Sequence, residues 1–140
     1  MRGSPGVSEA ELRPILADVP KIIGDAQAAD VLVKRAEELA QKIRDLKMAQ
    51  ARDIFDELRQ IESLWLRDPQ QALRRLHLLR PKLAYRRKRT PALEPLAQVL
   101  DAAIQEVVKG DAEAAKKERF QRLVELAEAI VAYHKYYGGE

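Results

Sequence analysis

The sequence predicts an all-α protein, a compact bundle of about five helices behind a flexible N-terminal segment. Three observations carry that expectation. Ala, Leu, Glu, Arg and Lys dominate while only 5% of residues are aromatic, a helix-forming composition. Apolar residues recur at spacings of three and four along most of the chain. No useful stretch alternates with the period of two that a strand needs. The length of 140 residues suits one domain, and 46% hydrophobic residues can supply its core.

Residues 1–28 read as the flexible segment, punctuated by Pro5, Pro14 and Pro20 and by Gly3, Gly6 and Gly24. Ser8 to Glu11 has capping-box spacing, so a short helix is expected there, with Pro14 uncomfortably deep in it. Residues 29–140 read as the helical-bundle domain. From Asp30, a possible cap, Leu32, Val33, Ala36, Leu39, Ala40, Ile43 and Leu46 form one stripe. "LKMAQ" then breaks or bends the chain. A second helix follows from about Ala49 to Leu66, with Ile54, Leu58, Ile61 and Trp65 in line. Asp68, Pro69 and Gln71 form a start signal of N-cap, N1 and N3. The third helix they open, with Leu73, Leu76 and Leu79 or Leu78 as its apolar face, should end or kink at Pro81. Lys82 to Thr90 reads as a basic segment held by Leu83, Ala84 and Tyr85. Thr90-Pro91 or Glu94-Pro95 begins the fourth helix, whose stripe runs from Leu96 to Val108. Gly110 closes it and Asp111 caps the fifth. That helix runs to about Tyr137, with Phe120, Leu123, Val124, Ala127, Ile130, Val131 and His134 on one face.

The formal net charge is only +3. Between Asp68 and Glu94, however, there is no acid, and the interval holds Arg74, Arg75, Arg80, Lys82, Arg86, Arg87, Lys88 and Arg89. A basic block on a mildly acidic body implies an anionic partner at one place. Arginine dominates the block, which favours bidentate contact with phosphate. Nucleic acid is the leading partner; an acidic protein surface and an inert solvated helix face are the alternatives. Tyr85 could stack on a base, but beside Leu83 and Ala84 it reads first as an anchor.

Other chemistries find little support. The chain has no cysteine, so disulfides and thiol nucleophiles are excluded. It has no Gly-rich phosphate loop, no GxSxG elbow and no HExxH. His77 and His134 are far apart, and His134 lies on an apolar stripe where a packed or interfacial residue is expected. Neither a metal nor a cofactor is expected. No apolar run approaches membrane length and no signal core opens the chain, so a cytoplasmic protein without membrane contact is expected.

Three ordered pieces carry a family resemblance: Gln50 and Arg52 before "IFDEL"; Lys82-Leu83-Ala84-Tyr85 with Arg89 four residues on; and "EAIVAYHKYYGG" from Glu128. Together they resemble the small subunit of the type III-A CRISPR interference complex, the Csm small-subunit family. The resemblance implies a non-catalytic helical subunit that stacks in copies beside other subunits of the effector complex. It also implies contact with guide and target RNA through basic surfaces. It assigns RNA contact to Arg52 and Arg89, and the charge block adds Arg75, Lys82, Arg86, Arg87 and Lys88. It makes Tyr133, His134, Tyr136 and Tyr137 a packing or copy-to-copy contact, with self-association expected. The alternative is a helical protein-interaction module whose basic loop docks on an acidic protein partner.

Overall fold

The computed structural model describes residues 8–138, and it is all-α. Six α-helices follow one another: α1 (Glu9–Gly24), α2 (Ala29–Lys42), α3 (Met48–Arg67), α4 (Pro69–Arg89), α5 (Glu94–Val107) and α6 (Glu113–Tyr136). A single 3₁₀ turn, Pro91–Leu93, joins α4 to α5. The described residues contain no strand.

The long last helix organises the bundle. Phe120, Leu123, Val124, Leu126, Ala127, Ile130 and His134 of α6 are buried. They pack against α2, α3 and α5, and more lightly against α1. Phe120 stacks on Trp65 of α3 with ring centroids 4.9 Å apart. Two arginines of α6 also finish neighbouring helices. Arg122 Nε donates to the Ile23 carbonyl at 2.6 Å, at the end of α1. Arg119 donates to the carbonyls of Val107 and Lys109 at the end of α5. Each places a cation at the negative pole of a helix and occupies an orphan acceptor. Gly110, at φ +74°, makes the turn between α5 and α6 in a conformation that disfavours side chains.

The expectation of a loose segment through residue 28 fails from Ser8 onward. The capping box forms: Ser8 Oγ accepts from the Glu11 amide at 3.2 Å, and Glu11 Oε1 accepts from the Ser8 amide at 3.1 Å. The helix then runs through both prolines. Pro14 and Pro20 are exposed, so the carbonyls they strand can turn to water. Leu12, Ile15, Val19, Ile22 and Ile23 line the opposite face and are buried against α5 and α2. Five such side chains contribute roughly 7–15 kcal/mol, against ~3 kcal/mol for each interior proline. Burial outweighs propensity, which adds one helix to the expected five. The part of the expected segment before Ser8 lies outside the described residues.

Three local expectations also change. α4 does not end at Pro81 but continues to Arg89, because Leu79 and Leu83 are both buried on one face across the proline. The basic segment is therefore helical. Asp30 sits in the first turn of α2 while Ala28 takes the cap position. Asp111 likewise yields the cap of α6 to Ala112, which offers no side-chain bond. The start signal at Asp68 is as expected, with Oδ1 accepting from the Gln71 amide at 3.2 Å.

The packing of α1 yields a direct expectation. Ile15→Ala should cost about 2–5 kcal/mol and lower the melting temperature of the whole chain in a single cooperative transition. A melting curve identical to that of the parent chain would mean that α1 is not part of the core.

Candidate nucleic-acid interface

The basic block occupies α4, whose buried stripe is Ala72, Leu76, Leu79 and Leu83. At about 100° per residue, the eight bases spread around the rest of the helix rather than forming one patch. Helix α4 lies against α3 on one flank and α5 on the other. Those neighbours supply the acids that the linear sequence lacks. On the α3 flank, Arg75 meets Glu57 at 2.7 Å, Lys82 approaches the same carboxylate at 3.8 Å, and Arg86 lies 3.8 Å from Asp53. On the α5 flank, Arg80 meets Asp101 at 2.7 Å and Arg87 meets Glu94 at 2.9 Å. The Arg80 guanidinium is held above its ordinary pKa, chiefly by its hydrogen bond to Asp101.

Five of the eight bases thus have an ionic partner. The expectation of an unneutralised block is corrected by tertiary pairing. The consecutive bases Arg86 to Arg89 also sit at the negative end of the α4 dipole, where cations stabilise the helix itself. Among the described residues, Arg74, Lys88 and Arg89 have no carboxylate within 4.0 Å.

Tyr85 is the other correction. It is 63% exposed, so it does not anchor the segment; Leu83, 1% exposed, does. The Arg89 guanidinium carbon lies 5.7 Å from the Tyr85 ring centroid, and Arg89 Nη1 donates to the Tyr85 hydroxyl at 3.4 Å. Beside this pair is a groove of about 390 Å³ between the start of α3 and the end of α4. Gln50, Asp53, Tyr85, Arg86, Arg89, Thr90 and Leu93 line it. The fold therefore brings Gln50 and Arg89 together but leaves Arg52 out. Arg52 is exposed on α3, about 160° around the helix from Gln50.

The second candidate set, at the end of α6, separates by burial. His134 is fully buried: Nε2 lies 2.7 Å from the Leu46 carbonyl and Nδ1 lies 3.4 Å from the Met48 sulfur. It fastens α6 to the link between α2 and α3, which is the packing role. Tyr133 is half-buried and stacks with Tyr137 at 6.5 Å. The Tyr137 hydroxyl donates to Glu37 of α2 at 2.5 Å. Tyr136 alone projects outward, 75% exposed. The described residues contain no cluster of three or more potential metal ligands. No described helix is long and apolar enough to cross a membrane.

The Tyr137–Glu37 bond has a measurable signature. It raises the pKa of the tyrosine, chiefly because the proton is shared with a carboxylate. A raised folded-state value means that the bond contributes fully at neutral pH and is lost as pH climbs past the tyrosine range. In a tyrosinate absorbance titration, one of the tyrosines should ionise later than the rest. Glu37→Gln should return it toward the ordinary range.

The chain matches a known family. The family model described as Csm2 Type III-A fits residues 26–140, covering α2 to α6. Neither the curated proteins nor the solved structures compared with the chain gave a match. The matched span covers most of the chain and contains all three ordered motifs, from Gln50 to Gly139. The chain therefore belongs to the Csm2 family of type III-A CRISPR-Cas systems, whose members are small structural subunits of the effector complex and partners of its other subunits.

Proposed function

We propose that this structural subunit contacts guide or target RNA through the last two turns of α4, without catalysing a reaction. The observation that carries the proposal is the end of that helix. Lys88 and Arg89 are exposed there and lack a carboxylate partner among the described residues. They adjoin Arg86 and Arg87, whose side chains stay about a third or more exposed despite their ion pairs. A phosphate can replace an exposed carboxylate partner at small cost, because such pairs are worth only ~0–1 kcal/mol. Contacts of this kind read backbone and shape, leaving sequence recognition to base pairing. Arg75 and Arg80 are better occupied by their acids and belong to the α3–α4 and α4–α5 packing. Lys82 is exposed and sits at a looser distance, and Arg52 would make a separate contact.

Salt dependence tests this contact. The logarithm of affinity for single-stranded RNA should fall with a slope of about −0.7 per phosphate engaged. Lys88→Ala with Arg89→Ala should make that slope shallower by roughly 1.4, whereas Arg75→Ala should leave it nearly unchanged. An unaltered slope in the double variant would sink direct contact through α4.

Association between copies forms the second part of the proposal. Tyr136 is the exposed member of the C-terminal motif, and an exposed aromatic gains most from being covered. Tyr136→Ala should weaken concentration-dependent sedimentation while leaving the melting temperature nearly unchanged. His134→Ala should do the reverse, lowering stability by removing a buried bond and its packing. A Tyr136→Ala chain that associates like its parent would remove Tyr136 from the contact.

A further inference from the structure

The exposed ring of Tyr85 contributes nothing to the core, yet it sits over a lined groove. An arginine held against an exposed tyrosine gives a flat, sequence-tolerant surface of the sort on which unpaired bases stack. The rest of the groove carries directional polar groups. Asp53 lies on its α3 side with a carboxylate 71% exposed. Its separation of 3.8 Å from Arg86 is too long for a hydrogen bond, so that contact leaves its lone pairs available. Gln50 adds an amide and Thr90 a hydroxyl to the same walls.

We propose that this groove receives one unpaired guanine base of an RNA strand. The ring of Tyr85 would stack on the base, with Arg89 beside it. The Asp53 carboxylate would accept from guanine N1–H and from its exocyclic amine. Among the four RNA bases, only guanine presents two adjacent donors on its Watson–Crick edge. A carboxylate, which only accepts, matches that edge with both oxygens, whereas uracil and cytosine each offer it one donor beside two acceptors. Arg86 and Arg89 would neutralise the adjoining phosphates. This rests on the RNA contact proposed above, and it adds a base preference to a contact otherwise confined to the backbone.

The experiment measures binding of the full chain to short uridine-rich RNAs that differ at one central position. Guanosine there should bind on the order of tenfold tighter than uridine, the effect of one good bidentate pair. Inosine, which lacks the exocyclic amine, should fall between them, and adenosine should gain only from stacking. Asp53→Asn should abolish the guanosine advantage, read as the ratio of guanosine to all-uridine RNA affinity within the same variant, whatever the loss of the charge beside Arg86 does to both. Tyr85→Ala should weaken all purine-containing RNAs, and Tyr85→Phe should not. Both positions are exposed, so these variants retain the fold. Equal affinity for guanosine and uridine, or a guanosine advantage that survives Asp53→Asn, overturns the guanine site while the backbone contact stands. Failure to bind any of the RNAs at low salt overturns both.

Discussion

The buried face of α6, from Phe120 to His134, is the constraint on which the rest of the bundle depends. The helices that meet it directly do so through apolar side chains, and Phe120 stacks on Trp65 there. The same helix then works beyond its own stripe. Through Arg119 and Arg122 it terminates α5 and α1, and through His134 it holds the link between α2 and α3. One element thus finishes two other helices and pins the link between two more. Helix α4 takes its position chiefly through α3 and α5. That indirect seating leaves a wide arc of α4 open to solvent, and the basic residues occupy this arc.

Most of the fold was legible because helical periodicity is a local signal. Ile54 to Trp65 and Phe120 to His134 could each be assigned to one face without knowing what covers it. The run from Leu32 was right for Leu32, Ala36, Leu39 and Ala40, but Val33 is exposed and Ile43 and Leu46 lie past the end of α2. Asp68-Pro69 was equally clear, since capping is decided within four residues. The failures share a cause. Pro14, Pro20 and Pro81 are local stop signals that lose to burial, and burial depends on partners distant in the chain. Ile15 and Leu83 could not announce from sequence alone which helices would cover them.

The candidate site was legible in composition but not in arrangement. The acid-free run from Arg74 to Thr90 located the basic residues, but the expected stop at Pro81 cut short the helix that carries them. It could not show that Glu57, Asp53, Asp101 and Glu94 would arrive from the two neighbouring helices. Those partners lie roughly 7 to 33 residues away in the chain, beyond any i,i+4 reasoning. Tyr85 misled for a related reason. Flanked by Leu83 and Ala84 it resembles a core residue, but a helix turns each of the three in a different direction. Once Lys82 to Arg89 is helical, Leu83 faces inward and Tyr85 outward. His134 shows the reverse case, a polar residue on an apolar stripe that finds both its partners inside the chain.

On the RNA contact proposed above, the ion pairs along α4 would also limit how strongly one chain holds a polyanion. With most bases engaged by acids of the same chain, a single copy offers few charges at once, and its grip on stray RNA should be weak. Copies fixed in a row along one strand would act as a multivalent ligand, each raising the effective concentration of the next. Weak individual contacts would then yield high avidity only within an assembled complex. The carboxylates of Glu57, Asp53 and Glu94 would thereby favour the assembly over the lone subunit.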